Sequence, residues 1–180
     1  MREWLIFIFI ILSAACLGLT SWFSIAGAYD LKKSSNYKDN HDYHEAHKWL
    51  TWAAIVSTIL AVCLIISVVI LVIAFGSDIM AMGPLGKVIF TIILLIFLGS
   101  LIAIGILHSL ALSNLLKYKD YSKDKWGKST FDKTILGISF GFGCTILLIF
   151  TIILQLMIGE KSGRRKKGRE LQEFSEMITE

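Results

Sequence analysis

Acidic and basic side chains are missing from four long stretches of this 180-residue chain, and proline is nearly missing from all of it. No Asp, Glu, Lys or Arg interrupts residues 5–28, 49–75, 88–116 or 134–158. A helix that crosses a bilayer needs about 20 mostly apolar residues, each rising ~1.5 Å, and every one of the four runs is longer than that. The expected fold is therefore an all-α membrane protein with four transmembrane helices. The lone proline, Pro84, falls in the Gly/Met-rich link between the second and third runs, so it breaks no span. It is expected to stiffen a turn there and to leave spans two and three as an antiparallel hairpin. Cysteine is also scarce. Cys16, Cys63 and Cys144 all lie inside apolar runs, so no loop disulfide is available, no oxidising compartment is required, and the thiols read as small packing groups.

What is present is mostly hydrophobic, 55% of the chain with a mean hydropathy of +0.68, and the connections are too short to hold a soluble domain. One compact bundle over 1–159 and a tail over 160–180 are expected. Met1-Arg2 ahead of an apolar run, with Ala26-Gly27-Ala28 near its end, has the outline of a cleavable signal. The run is longer than the usual h-region of about 7–15 residues, so an uncleaved first span is expected. Sidedness is nearly balanced. With four spans, one side carries Arg2, Lys87 and the six basic residues Lys161, Arg164, Arg165, Lys166, Lys167 and Arg169. The other carries Lys32, Lys33, Lys38 and Lys48 in the first loop region and Lys117, Lys119, Lys123, Lys125, Lys128 and Lys133 in the second. The density of the tail cluster beside a span favours cytosolic termini.

A shift of 85 positions lays Ser24, Ala26, Leu31, Lys32, Lys38 and Asp39 on Ser109, Ala111, Leu116, Lys117, Lys123 and Asp124. Two readings remain open: two tandem helix-loop-helix repeats of the same orientation, or a coincidence between two segments of biased composition. Small residues one turn apart, Gly137-x-x-x-Gly141 with Gly143, Gly99-x-x-x-Ala103 with Gly105, and Ala14-x-x-x-Gly18, permit close helix approach, and are expected to form faces of one internal bundle. Trp4, Trp22, Trp49, Trp52 and Trp126 stand near span ends or loops and read as interfacial anchors.

Chemistry-bearing residues are few. His41, His44 and His47 step three apart just ahead of the second span, a spacing that lets two neighbours share a metal but serves three poorly. It is not a zinc-protease motif, which needs histidines four apart. A wetted helix start is the expectation, with metal binding or pH sensing as the sharper alternative, and no cofactor is expected. His108 and Gln155 are the clearest polar groups within the spans, each near a boundary, and His108 is expected to reach water or a loop carbonyl. No acidic residue or Arg marks the middle of a span, which counts against a coupled transporter.

The tail places Arg164, Arg165, Lys166 and Lys167 beside the fourth span, suited to anionic lipid rather than specific nucleic acid. Beyond them, Leu171, Phe174, Met177 and Ile178 recur at helical spacing among Glu170, Glu173, Glu176 and Glu180, so a short C-terminal amphipathic helix that docks on a protein partner or on the basic segment is expected.

The order Ala26-Gly27-Ala28-Tyr29-Asp30-Leu31, then Tyr37, then Ala46-His47-Lys48-Trp49-Leu50-Thr51-Trp52-Ala53-Ala54 resembles small multi-span membrane proteins of nucleocytoplasmic large DNA viruses, over about a third of the chain. The resemblance implies a minor capsid or inner-membrane component that ties the virion membrane to the protein shell, and carries no active site. The large cysteine-paired loop of tetraspanins and the Trp-Gly-Leu-Trp signature of claudins are absent. The leading expectation is a non-enzymatic structural membrane protein that organises a bilayer against a protein assembly. Lys38, Asp39, Lys123 and Asp124 in the loops and Arg164 to Lys167 in the tail are its candidate contact residues. The rival is an oligomeric channel or small transporter lined by Ser100, Thr145 and Thr151.

Overall fold

The structure, a computed structural model, describes the backbone of residues 2–75, 84–118 and 120–179 and the side chains of residues 5–70, 72–73, 86–118 and 120–157. Four helices account for nearly all of it: α1 (Arg2–Lys33), α2 (His41–Phe75), α3 (Pro84–Lys117) and α4 (Lys125–Thr179), with one 3-10 turn at Ser35–Tyr37 and no strand among the described residues. All four are long and apolar enough to cross a membrane, over Leu5–Lys33, His41–Ile70, Gly86–Lys117 and Lys125–Met157. This is an integral membrane protein by the length and composition of its helices.

The helices outrun the apolar stretches that announce them. α2 begins at His41 and α4 at Lys125, about two turns ahead of Trp49 and Thr134, because each start is capped by a polar side chain. Asn40 Oδ1 accepts the backbone N–H of Asp42 at 2.8 Å, and Asp124 Oδ1 accepts that of Trp126 at 3.0 Å, which satisfies donors that a helix start leaves unpaired. Pro84 opens α3 rather than stiffening a turn in the link; at the first helical position its missing N–H costs nothing. A separate short C-terminal helix is not shown. α4 runs to Thr179, and the tail side chains, Arg164, Arg165, Lys166 and Lys167 among them, lie outside the described residues.

Each helix packs against its antiparallel neighbours, α1 on α4 and α2, and α3 on α2 and α4, with the α1–α4 seam the most extensive. The ring encloses two apolar clusters. One, toward the termini, gathers Ile6, Ile10, Leu17, Leu64, Leu94 and Leu148; the other, toward the loops, gathers Leu31, Tyr43, Ala46, Leu50 and Leu115. The outer faces carry Ile66, Ile73, Ile96, Phe142 and many like them, as lipid contact requires.

The small residues divide between inside and outside. Gly137 and Gly141 face α1, and a Cβ on Gly137 would meet His108 Nε2 at 3.0 Å, tighter than an ordinary contact, so a side chain there would press on the imidazole. Gly18, Gly99, Gly105 and Gly143 have nothing beside them, and Ala103 is exposed. The expectation that all three small-residue pairs build the internal bundle is therefore corrected: only the Gly137-x-x-x-Gly141 pair does so in full, and Ala14 faces inward without its partner Gly18.

Candidate functional site

Between the two apolar clusters lies a layer of polar side chains supplied chiefly by α1. Thr20, Ser21 and Ser24 are buried there, with Ser57 from α2, His108 from α3 and Thr134 from α4. His108 is 1% exposed. Its Nδ1 lies 2.9 Å from the Ile104 carbonyl, which only accepts, so Nδ1 carries the proton. Nε2 lies 2.8 Å from Ser24 Oγ, joining α1 to α3 across the bundle interior. His108 thus turns inward to a serine rather than outward to water or a loop carbonyl, because a buried imidazole needs both nitrogens satisfied. Thr20 Oγ1 reaches the Gly137 carbonyl at 3.3 Å, and Ser21 Oγ lies 2.6 Å from Thr58 Oγ1, tying α1 to α4 and α2. The Ser24–His108 contact has the outline of a nucleophile and its base, yet Ser24 is wholly buried. The cavity of about 250 Å³ between α3 and α4 is walled by His108, Gly137 and Thr145 and not by Ser24. The contact is a helix clamp.

The loop side is locked by two carboxylates. Asp30, 3% exposed at the end of α1, takes Ser129 Oγ at 2.6 Å and forms an ion pair with Lys133, both from α4. Thr130 Oγ1 donates to the Gly27 carbonyl at 3.0 Å in the same seam. Asp124, besides capping α4, accepts Ser34 Oγ at 2.5 Å and the Tyr43 hydroxyl at 3.1 Å through its other oxygen. Tyr43 is completely buried and crosses Tyr118 edge-on at 5.0 Å, and Asn36 Nδ2 donates to the Tyr118 hydroxyl at 3.2 Å. Gly127 lies so close to the Tyr43 hydroxyl and the Tyr121 carbonyl that a Cβ would collide with both. Together these contacts make a cap that joins α1, α2 and α4, with Tyr118 directly after α3 drawn into it.

The expected contact residues fall unevenly on this cap. Lys38 and Asp39 are exposed, and Lys123 is exposed beside Asp120 at 2.7 Å. That hydrogen bond, with the charge of Asp120, raises the Lys123 ammonium above the ordinary lysine value. Asp124 is given over to internal bonds. His44 and His47 pack on the Tyr37 ring at 4.3 and 5.6 Å, His41 is exposed, and among the described residues no three His, Cys, Asp or Glu side chains come together to hold a metal. Ser100, Thr145 and Thr151 each return their hydroxyl to a carbonyl four residues back on their own helix. Gln155 Nε2 donates to the Lys87 carbonyl at 3.0 Å, and its Oε1 is the one buried side-chain oxygen or nitrogen without a partner among the described residues.

Sequence reasoning missed Asp30, Lys133, Ser24, Ser34 and Tyr43. Asp30 alone carried a signal, an acid set immediately after an apolar run. Comparison of the chain with protein-family models, with curated proteins and with solved structures finds no match.

Proposed function

We propose that this is a non-enzymatic membrane protein that organises a bilayer against a protein assembly, with the loop-side cap as its docking face. The observation that supports this reading is the cap: helices prolonged past their apolar runs are joined there through Asp30 and Asp124, and Lys38, Asp39 and Lys123 are exposed on it. A surface already ordered loses little entropy when a partner binds. The basic tail, Arg164 to Lys167, suits anionic headgroups on the opposite side. In the reading that the viral resemblance suggests, the assembly is a capsid shell and the bilayer is the virion membrane.

Cross-linking in native membranes tests this reading. Lys38 and Lys123 should link to one recurrent partner, and K38E/K123E should abolish the link while leaving the protein folded. The channel alternative is tested on the same preparation in liposomes. Ion flux that disappears when Ser100, Thr145 and Thr151 are replaced, with no partner captured, would overturn the structural reading.

A further inference from the structure

One corner of the cap gathers two lysines around aromatic rings, and neither lysine has a carboxylate in contact with it among the described residues. Lys33, in the last turn of α1, places its ammonium 4.2 Å from the Tyr29 ring centre and 4.7 Å from that of Trp126. Lys125, which opens α4, places its own 5.3 Å from the same indole. The two cations therefore lie within about 10 Å of each other, close enough to repel through roughly one Debye length. Neither forms an ion pair among the described residues, where the salt bridges are those of Lys48, Lys123 and Lys133. The two nearest acids in sequence are already engaged. Asp30 is held by Lys133 and Ser129, and both oxygens of Asp124 are taken by Ser34, Tyr43 and the Trp126 N–H. Lys125 also sits where the α4 dipole disfavours a cation.

The depth of this corner selects its ligand. Tyr29 follows directly on the apolar run that ends at Ala28, and Thr130, one turn into α4 from Trp126, bonds the Gly27 carbonyl. Trp22, about two turns before Tyr29 on α1, and Trp52 on α2 are 66% and 51% exposed and point outward. Outward aromatic rings followed by lysines are the pattern of the headgroup layer, where the indole meets the glycerol region and the ammonium rises to the phosphate.

We propose that Tyr29, Lys33, Lys125 and Trp126 form a binding site for an anionic phospholipid headgroup in the loop-side leaflet. The phosphate sits between the two ammoniums, and the rings flank its glycerol. This site is separate from the tail cluster, lies on the opposite face of the membrane, and does not depend on the docking reading.

The test is retention of dioctanoyl phosphatidylglycerol against dioctanoyl phosphatidylcholine by the full chain in neutral detergent, followed by native mass spectrometry. Wild-type protein should prefer the anionic lipid, and K33Q/K125Q should weaken that preference by roughly 25-fold, since each lysine near such a surface changes affinity about fivefold. K33R/K125R should keep the preference, and so should K38Q/K123Q, which removes charge elsewhere on the cap. Helical circular dichroism and gel-filtration position confirm that each variant is folded. No preference in the wild type, no change in K33Q/K125Q, or an equal loss in K33R/K125R or K38Q/K123Q would overturn the proposal. Displacement of the lipid by inorganic phosphate at equal concentration would do so too, by showing a soluble-anion site.

Discussion

The two halves of this bundle are held by different forces. Toward the loops, helices are joined by side chains that seek particular partners: Asp30 with Lys133 and Ser129, Asp124 with Ser34 and Tyr43, Thr130 with the Gly27 carbonyl, Ser24 with His108. Toward the termini, the interior is mostly Ile6, Ile10, Leu17, Leu64, Leu94 and Leu148, and its cross-helix polar contacts are the weaker ones of Gln155 with the Lys87 carbonyl and of Ser13 with the Cys144 thiol. In lipid, apolar packing gains little from leaving the solvent, because the solvent is as apolar as leucine, and it discriminates poorly between registers. Directional polar contacts do discriminate. The loop side therefore carries more of the contacts that distinguish one helix register from another.

The largest expected effect comes from Asp30→Ala, which leaves the partly exposed Lys133 ammonium without its partner in the α1–α4 seam. Breaking a pair with one buried partner should cost about 3 kcal/mol, the low end for buried pairs, and removing both charges in D30A/K133M should restore most of it. Denaturant titration in micelles reads both, and a double variant as unstable as the single one would show that the seam does not depend on the pair. Next come two leucines of equal burial. Leu31→Ala, beyond the apolar run at the water side, should cost about 3 kcal/mol, as in a soluble core. Leu94→Ala, deep in a span, should cost about 1 kcal/mol, since only packing contacts are lost there. Equal losses would erase the distinction between the halves. Ser24→Ala should cost about 1 kcal/mol by leaving His108 Nε2 without its hydrogen bond.

The smallest effect is at the exposed end. The Lys123 ammonium is raised in the folded protein, so the favourable contribution of its pair with Asp120 is present below the ordinary lysine value and is lost as pH rises through the raised one. Asp120→Asn should return the titration to the ordinary range in a nitrogen-detected NMR experiment and leave the unfolding midpoint at neutral pH unchanged.

The four spans were legible because transfer into lipid depends on composition summed over a long window, which no partner alters. The helix ends were not. Asn40 and Asp124 prolong α2 and α4 through single hydrogen bonds that no hydropathy window registers. The alignment by 85 positions matches Asp39 to Asp124, yet Asp39 is exposed and Asn40 is the residue that caps α2. Which glycines face inward was equally hidden. Gly99 and Gly137 share the same spacing pattern, and only contact with Thr20 and His108 separates them.

Sequence by itself determined that this chain lives in a bilayer as four helices, since uncharged runs of that length have no other stable solvent. Tertiary structure decided what the polar residues do. It turned His108 inward to Ser24, engaged Asp30 and Asp124 in internal bonds, and left Lys33 and Lys125 against aromatic rings with no ion pair among the described residues. Burial and pairing depend on neighbours distant along the chain, and only folding brings those together.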